Sequence, residues 1–587
     1  MQRLWNRIGR PHGGILLLCI AVAVVFGRSL GHEFLIWDDR GLIIENPIIC
    51  PPSWAGIAAA WRQVNLFLYI PVTYTFWIAL AAIGQFLGGA SAESGIPPWP
   101  FHLANMAVHL GNVLLVYRIL RQLKMEHLPA AIGCVLFALH PMQVEAVAWA
   151  TGMKDLLSTF LALGGVTCYL SAAIRWSAGD NLAGHRRYRL ALVALVAASL
   201  AKPGIVGIPL LAGILDILFI SGFKLRVFWR VAGLGMVLLP AVLGTYLAQY
   251  GQAPLGLPVA MRPAVACHAL AFYLRKLVFP DAFCVDYGMM PMRVVLSPEL
   301  WTQGLAVPLL LFGLLLFPRQ RKYLAGVLGI MVAGILPVLG LVGFLFQTYS
   351  TVTDRYFYVS MFGASLGLAL VVSIAQRRLR RLIFIVLIIG LGGLSLRQVG
   401  YWRDTLELCA HCVEVNPRSW SAYGNMGLSL CPTGSGAVWR HHGQGVPAEV
   451  RRMYAAKALE YSWMTYALKP NTGAICNLVY AYASLGDYST VCRIGEWVWA
   501  NGHTYHLRAD VVATPYDMAE WNLRIGNPGR AAQWLICEIV NNPKNQKANE
   551  LLALVLQPAT TQPTTIPSST TSTTHPTTTK PSAAKQN

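Results

Sequence analysis

The chain has 587 residues, 55% of them hydrophobic and only 12% charged, and its mean hydropathy is +0.50. Soluble domains carry about a quarter charged residues, so this composition excludes an ordinary soluble globular protein. The net charge of +20 sits in short basic clusters between apolar runs, which is the pattern of topology signals and argues against nucleic acid as a partner.

In chain order, Arg3, Arg7 and Arg10 precede the apolar stretch 14–26. No clear small-residue cleavage site follows, so this segment is expected to stay as a signal anchor. Apolar runs of membrane-crossing character then recur through the first two thirds of the chain. The expected spans are 13–29, 101–120, 129–149, 156–174, 190–202, 204–220, 231–250, 304–318, 323–343, 357–375 and 382–398. Placing the basic clusters between them in the cytoplasm gives about eleven crossings, with the N-terminus inside and the C-terminus outside. Residues 262–280 are apolar but carry Arg275 and Lys276. They read as an interfacial or re-entrant helix on the outer side. The outer loops, above all 31–100, are long and polar, whereas the inner loops are short and basic. That asymmetry places any chemistry outside.

Residues 399–557 are more polar and contain a repeat. Three similar segments each close on a proline: Thr405 to Pro417, Ala458 to Pro470 and Ala531 to Pro543. This spacing matches the second helix of a tetratricopeptide repeat, and Leu478, Tyr482, Leu485, Gly486 and Tyr488 fit the first-helix pattern. Cys409 and Cys412 form a C-x-x-C around His411, but the repeat register puts both at packing positions. No cysteine spacing reads as a disulfide framework or a metal site. The tail 558–587 is nearly all Thr, Pro and Ser and is expected to be disordered. The expected fold class is therefore all-α: a polytopic transmembrane helical bundle over 1–398, followed by a helical-repeat solenoid.

Several outer positions carry chemistry. Asp38 and Asp39 follow the first span directly. Adjacent carboxylates suit a solvated turn, but at the membrane surface a carboxylate can also act as general base on an acceptor hydroxyl. His140 and Glu145, continuing to Lys154 and Asp155, are ionisable groups at a membrane edge, where function is the default hypothesis and interfacial anchoring the alternative; His140 with Pro141 could also simply end a helix. Arg355 and Tyr356, after Asp354, suit a phosphate head, unless Asp354 and Arg355 simply pair. Lys202, before Pro203, is a lone cation between two helices. His102 and His109 share a helix face and suit interhelical hydrogen bonding, and Asp216 reads as structural.

These strings occur in a fixed order: Trp37 to Asp39 through Glu45 to Pro47; Tyr69, Pro71 and Thr73; Phe101 to Asn105 with His109; Leu139 to Trp149 with Lys154 and Asp155; Ala201 to Pro203 with Leu215 and Asp216; Asp354 to Tyr358; and Trp402 to Asp404 before the repeats. As an ordered set, over about residues 13–545, the chain resembles the bacterial relatives of the transmembrane and tetratricopeptide-repeat-containing O-mannosyltransferases, in the GT-C glycosyltransferase superfamily. The resemblance implies a membrane enzyme that moves a hexose, such as mannose, from a polyprenyl-phosphate carrier to a protein hydroxyl. It makes Asp38 and Asp39 the catalytic candidates, with His140 and Glu145 shaping the site. Arg355, Lys154 and Lys202 are chosen for the donor phosphate on charge and side, with Asp155 and Tyr356 beside them. The repeats would recruit the acceptor, and the compartment implied is a bacterial inner membrane with periplasmic repeats. Ile70, Met142, Gln143, Gly152 and Met153 depart from the common pattern, which leaves the sugar open. Also open are a glycan or lipid acceptor, a non-enzymatic scaffold role, a divalent metal requirement and the tail as an acceptor for its own enzyme.

Overall fold

The computed structural model describes residues 13–65, 68–87, 95–249, 257–298, 320–431, 447–502 and 512–556, with the single positions 309, 313, 316 and 508. The expected span 304–318 and the tail 558–587 lie essentially outside these residues. Among the described residues there are helices and loops but no strand beyond one isolated bridge, Asn65 to Leu68.

Helix α1, Gly13–Gly27, is apolar on every face, as a helix surrounded by lipid or other helices must be. It is followed by α2, Trp54–Arg62, α3, Pro71–Phe86, and α4, Trp99–Gln122. Next come α5, His127–Leu139, α6, Val144–Ala148, α7, Met153–Ser177, and α8, Asn181–Ala201. Among the described residues, five helices are long and apolar enough to cross a membrane: Gly13–Gly31, Trp99–Gln122, Ala150–Ser177, Arg321–Val338 and Arg377–Gly400. Two bent pairs raise the count to seven: His127–Leu139 with Pro141–Ala148, bent by 53°, and Leu225–Met236 with Leu239–Thr245, bent by 43°. The expected spans 204–220 and 357–375 are shorter apolar helices, Pro203–Phe219 and Met361–Ser373. The expected span 190–202 is the C-terminal half of α8, whose first half carries Arg186, Arg187 and Arg189. Segment 262–280 contains a helix, Arg262–Val278.

Helix α5 lies at the centre, buried along nearly its whole length. Its Gly133 permits the close approach of Met361–Ser373, because an added Cβ would stand 2.5 Å from the Ser365 carbonyl oxygen. Small residues serve this purpose wherever helices pack without a hydrophobic driving force. Buried polar groups pair between helices. His109 Nδ1 is 2.7 Å from the Tyr358 hydroxyl and Nε2 is 3.0 Å from the Ala138 carbonyl. Asn112 donates to the same hydroxyl at 3.0 Å, and Tyr169 donates to Asp216 at 2.8 Å. The structural expectations for His109 and Asp216 therefore hold.

Beyond residue 400 come short helices: α9, Thr405–Val415, α10, Trp420–Leu430, α11, Ala448–Leu468, and α12, Thr472–Leu485. The starts of α9, α10 and α12 are capped by side chains. Asp404 accepts from the Glu407 amide at 2.9 Å, Ser419 from Ala422 at 3.2 Å and Asn471 from Ala474 at 2.8 Å. Cys409 and Cys412 are buried in the core, as their register predicts. The chain divides into two compact units, Met1–Leu485 and Gly486–Asn587. Composition changes near 398, but α9 to α12 belong to the same compact unit as the apolar helices. The Asp286 carboxylate accepts from Ser419 at 2.7 Å and from Ser421 at 2.6 Å, and its carbonyl accepts from Asn416 at 3.0 Å. Among the described residues the second unit holds four further helices, Tyr488–Asn501, Pro515–Arg524, Pro528–Asn541 and Gln546–Val555.

Candidate active site

The segment that follows α1 is held near its start by residues around the beginning of α9. Ile36 N–H donates to the Thr405 hydroxyl at 3.0 Å, and Glu33 N–H donates to the Arg403 carbonyl at 2.9 Å. After Asp39 the chain makes a π-helical turn, Arg40–Ile44, closed by an Arg40–Glu45 ion pair at 2.6 Å. Such turns redirect side chains and are frequent at functional sites.

The two neighbouring aspartates differ sharply. Asp39 is fully buried, and its two carboxylate oxygens accept from the backbone N–H groups of Leu35 and Thr151, each at 3.0 Å. Burial pushes its carboxyl up to about 7, against the pull of those N–H groups, with the Asp38 charge adding to the rise. Asp38 has a side chain 37% exposed and accepts from Lys154 Nζ at 3.0 Å. Asp39 therefore clamps the loop to the Trp149–Met153 turn, and Asp38 is the reachable carboxylate.

That turn is tight. A Cβ at Gly152 would lie 2.1 Å from the Ala146 carbonyl oxygen, so the departure at Gly152 is sterically required. Asn105 holds the turn from α4 by donating to the carbonyls of Val147 at 3.2 Å and Trp149 at 2.6 Å.

Three ion pairs gather here: Lys154 with Asp38, Lys202 with Asp155, and Arg355 with Glu145. Two aromatic rings link them. Lys154 Nζ and Arg355 Cζ lie 5.3 and 5.2 Å from the Trp149 centroid. Lys202 Nζ and Arg355 Cζ lie 5.9 and 5.0 Å from that of Tyr356. Glu145 is also bound by the Thr353 hydroxyl at 2.8 Å and by the Arg355 N–H at 2.9 Å. Lys202 is positioned from α3, where Thr73 donates to the preceding Ala201 carbonyl at 2.8 Å.

Eight of the nine sequence candidates thus fall into one cluster: Asp38, Asp39, Glu145, Lys154, Asp155, Lys202, Arg355 and Tyr356. His140 is spent differently. Its Nδ1 accepts from the Met142 amide at 3.2 Å and its Nε2 is 3.3 Å from the Leu277 carbonyl, so it orders a helix break. The alternative pairing of Asp354 with Arg355 is not made: Asp354 accepts from the Tyr287 hydroxyl at 2.7 Å, and Arg355 pairs with Glu145. Trp149 and Thr353 were missed as site residues. The Leu139–Trp149 string contains Trp149, but only the fold brings two cations to its ring. Among the described residues, no group of three or more His, Cys, Asp or Glu side chains is arranged to hold a metal ion.

The fold and this cluster define an all-helical integral membrane protein with a group of ion pairs beside the segment that follows its first helix. The chain is similar to proteins named protein O-mannosyl-transferases. One from Caenorhabditis elegans is 24% identical over 451 residues, 71% of this chain and 60% of the relative. Tmtc2 of Drosophila melanogaster is 30% identical over 176 residues, 28% of this chain and 17% of the relative. TMTC1 of Mus musculus is 30% identical over 176 residues, 29% of this chain and 18% of the relative. The chain thus spans 60% of the nematode relative and under a fifth of the other two. No family model and no solved structure matches it.

Proposed function

We propose that this chain is a membrane glycosyltransferase of the GT-C kind, moving a hexose from a polyprenyl-phosphate carrier to Ser or Thr of proteins on the non-cytoplasmic side. The names of its relatives support a sugar transferase acting on proteins. The carrying observation is that Asp38 alone of the clustered carboxylates is substantially exposed, while its Lys154 partner belongs to a run of three cations.

The chemistry follows from that arrangement. Asp38 takes the proton from the acceptor hydroxyl as its oxygen attacks the anomeric carbon. The bond from that carbon to the carrier phosphate oxygen breaks, and its electron pair leaves with the phosphate. Lys154, Lys202 and Arg355 offset the negative charge of the donor and leaving group. Each cation is already paired with a carboxylate, so the site keeps its charges in place without a donor. Asp39 acts by position, holding Asp38 against the Thr151 turn. The non-cytoplasmic placement rests on the basic inner loops, and a bacterial inner membrane with periplasmic repeats is the compartment that fits it.

The test is transfer by purified full-length protein in vesicles, supplied with labelled polyprenyl-phosphate hexose and a protein acceptor. Asp38→Asn should lower the rate by about 100-fold or more, the low end of a general base's contribution, with donor KM little changed. A variant as active as wild type would sink this assignment. Label found only in lipid or polysaccharide would move the acceptor from protein to glycan.

A further inference from the structure

Asp38 faces a second environment besides Lys154. With Trp37 it forms one wall of a cavity of about 250 Å³ whose opposite walls are the helices α10, α11 and α12. The aromatic rings are continuous across it: Trp37 lies 5.7 Å from Tyr349, and Tyr349 stacks on Trp420 at 5.0 Å.

We propose that this cavity is the acceptor subsite, taking an extended polypeptide segment through one Ser or Thr and its small neighbours. The inference rests on the glycosyltransferase reading above and gives its acceptor a place and a chemistry. Three observations carry it. First, among the described residues no Lys, Arg or His lines the cavity, and Lys154, Lys202 and Arg355 lie outside its lining. The lining thus offers the phosphate end of a donor no cation and one carboxylate, Asp38, which favours an occupant without negative charge. Second, its volume is below the roughly 300–1,000 Å³ that encloses a whole small molecule. It fits a side chain with its adjoining backbone. Third, the repeat-helix wall is built from small residues and neutral amides. Gly424, Gly473 and Ala474 let a main chain come close, and a Cβ at Gly424 would already crowd Asn477 Nδ2 at 3.2 Å. Asn477 is oriented by donating to the Gly424 carbonyl at 3.0 Å, and Asn425 lies on the same wall. Amide side chains offer both donors and acceptors, which is what a peptide group needs. A hydroxyl seated here lies beside the one exposed carboxylate of the cluster.

The test uses full-length protein in detergent and a photoreactive peptide of Ala, Gly and a single Thr. Cross-links should fall on segments 420–428 and 473–477, and Ala474→Leu should weaken peptide binding by roughly tenfold or more. Binding of an unglycosylated polyprenyl phosphate should be unchanged in that variant, and Arg452→Gln on an exposed face should alter neither. No peptide binding by wild type, cross-links confined to other segments, or competition by a neutral oligosaccharide but not by peptide would overturn the proposal. Peptide cross-linked here but never glycosylated would defeat the transferase reading and leave the cavity's occupant standing. Glycosylated peptide that cross-links elsewhere would do the reverse.

Discussion

Asp38 and Asp39 are neighbours with opposite environments, and the difference comes from residues far away in the chain. The Thr151 amide that binds Asp39 is 112 positions on, and so is invisible to local pattern. Sequence reading found both carboxylates but could not divide their roles. The division has a measurable consequence. Asp39 is raised from 3.8 to about 7 in the folded protein, chiefly by burial. The folded state therefore holds this proton more tightly than the unfolded chain. Its contribution to stability is complete below about pH 4 and is lost as pH rises through about 7. Asp39→Asn cannot titrate. Thermal unfolding in detergent should show the wild-type Tm falling from pH 4 to 7 relative to this variant, and parallel curves would show that Asp39 is ionised throughout.

At the scale of elements, much was legible. The apolar runs within the described residues became helices, and the helices Thr405–Val415, Ala448–Leu468 and Pro528–Asn541 all stop just before the prolines on which the expected repeat rests. Proline lacks an N–H and restricts the residue before it, so these stops are written locally. A helix end at His140 and Pro141 was legible, but the Leu277 carbonyl that engages His140 was not, because it comes from another helix. The same holds for Glu145 and Arg355, which join the Val144–Ala148 helix to a loop 210 residues later. Both are almost wholly buried. Glu145→Gln should therefore destabilise the protein by about 3–5 kcal/mol, since it leaves a buried guanidinium uncompensated. The joint change Glu145→Leu with Arg355→Met should recover most of that loss in chemical denaturation. Failure of the joint change to improve on the single one would mean that packing, not charge, dominates there.

For the whole molecule, the composition boundary near 398 and the compact unit ending at Leu485 are different divisions. Hydropathy records which residues avoid water, whereas compactness here depends on polar contacts across more than 130 positions, such as Asp286 with Ser419 and Ser421. Those contacts lie in the compact unit that holds both helices α9 to α12 and the Asp38 segment, so on the reading proposed above sugar transfer and acceptor binding would share one folded unit. The central claim is transfer of sugar to protein by way of Asp38. It is tested most directly by comparing Ser- and Thr-linked glycopeptides from cells expressing wild type with those from cells expressing Asp38→Asn at equal level. Hexose-bearing peptides that vanish in the variant are the result expected here; identical glycopeptide profiles would contradict the account.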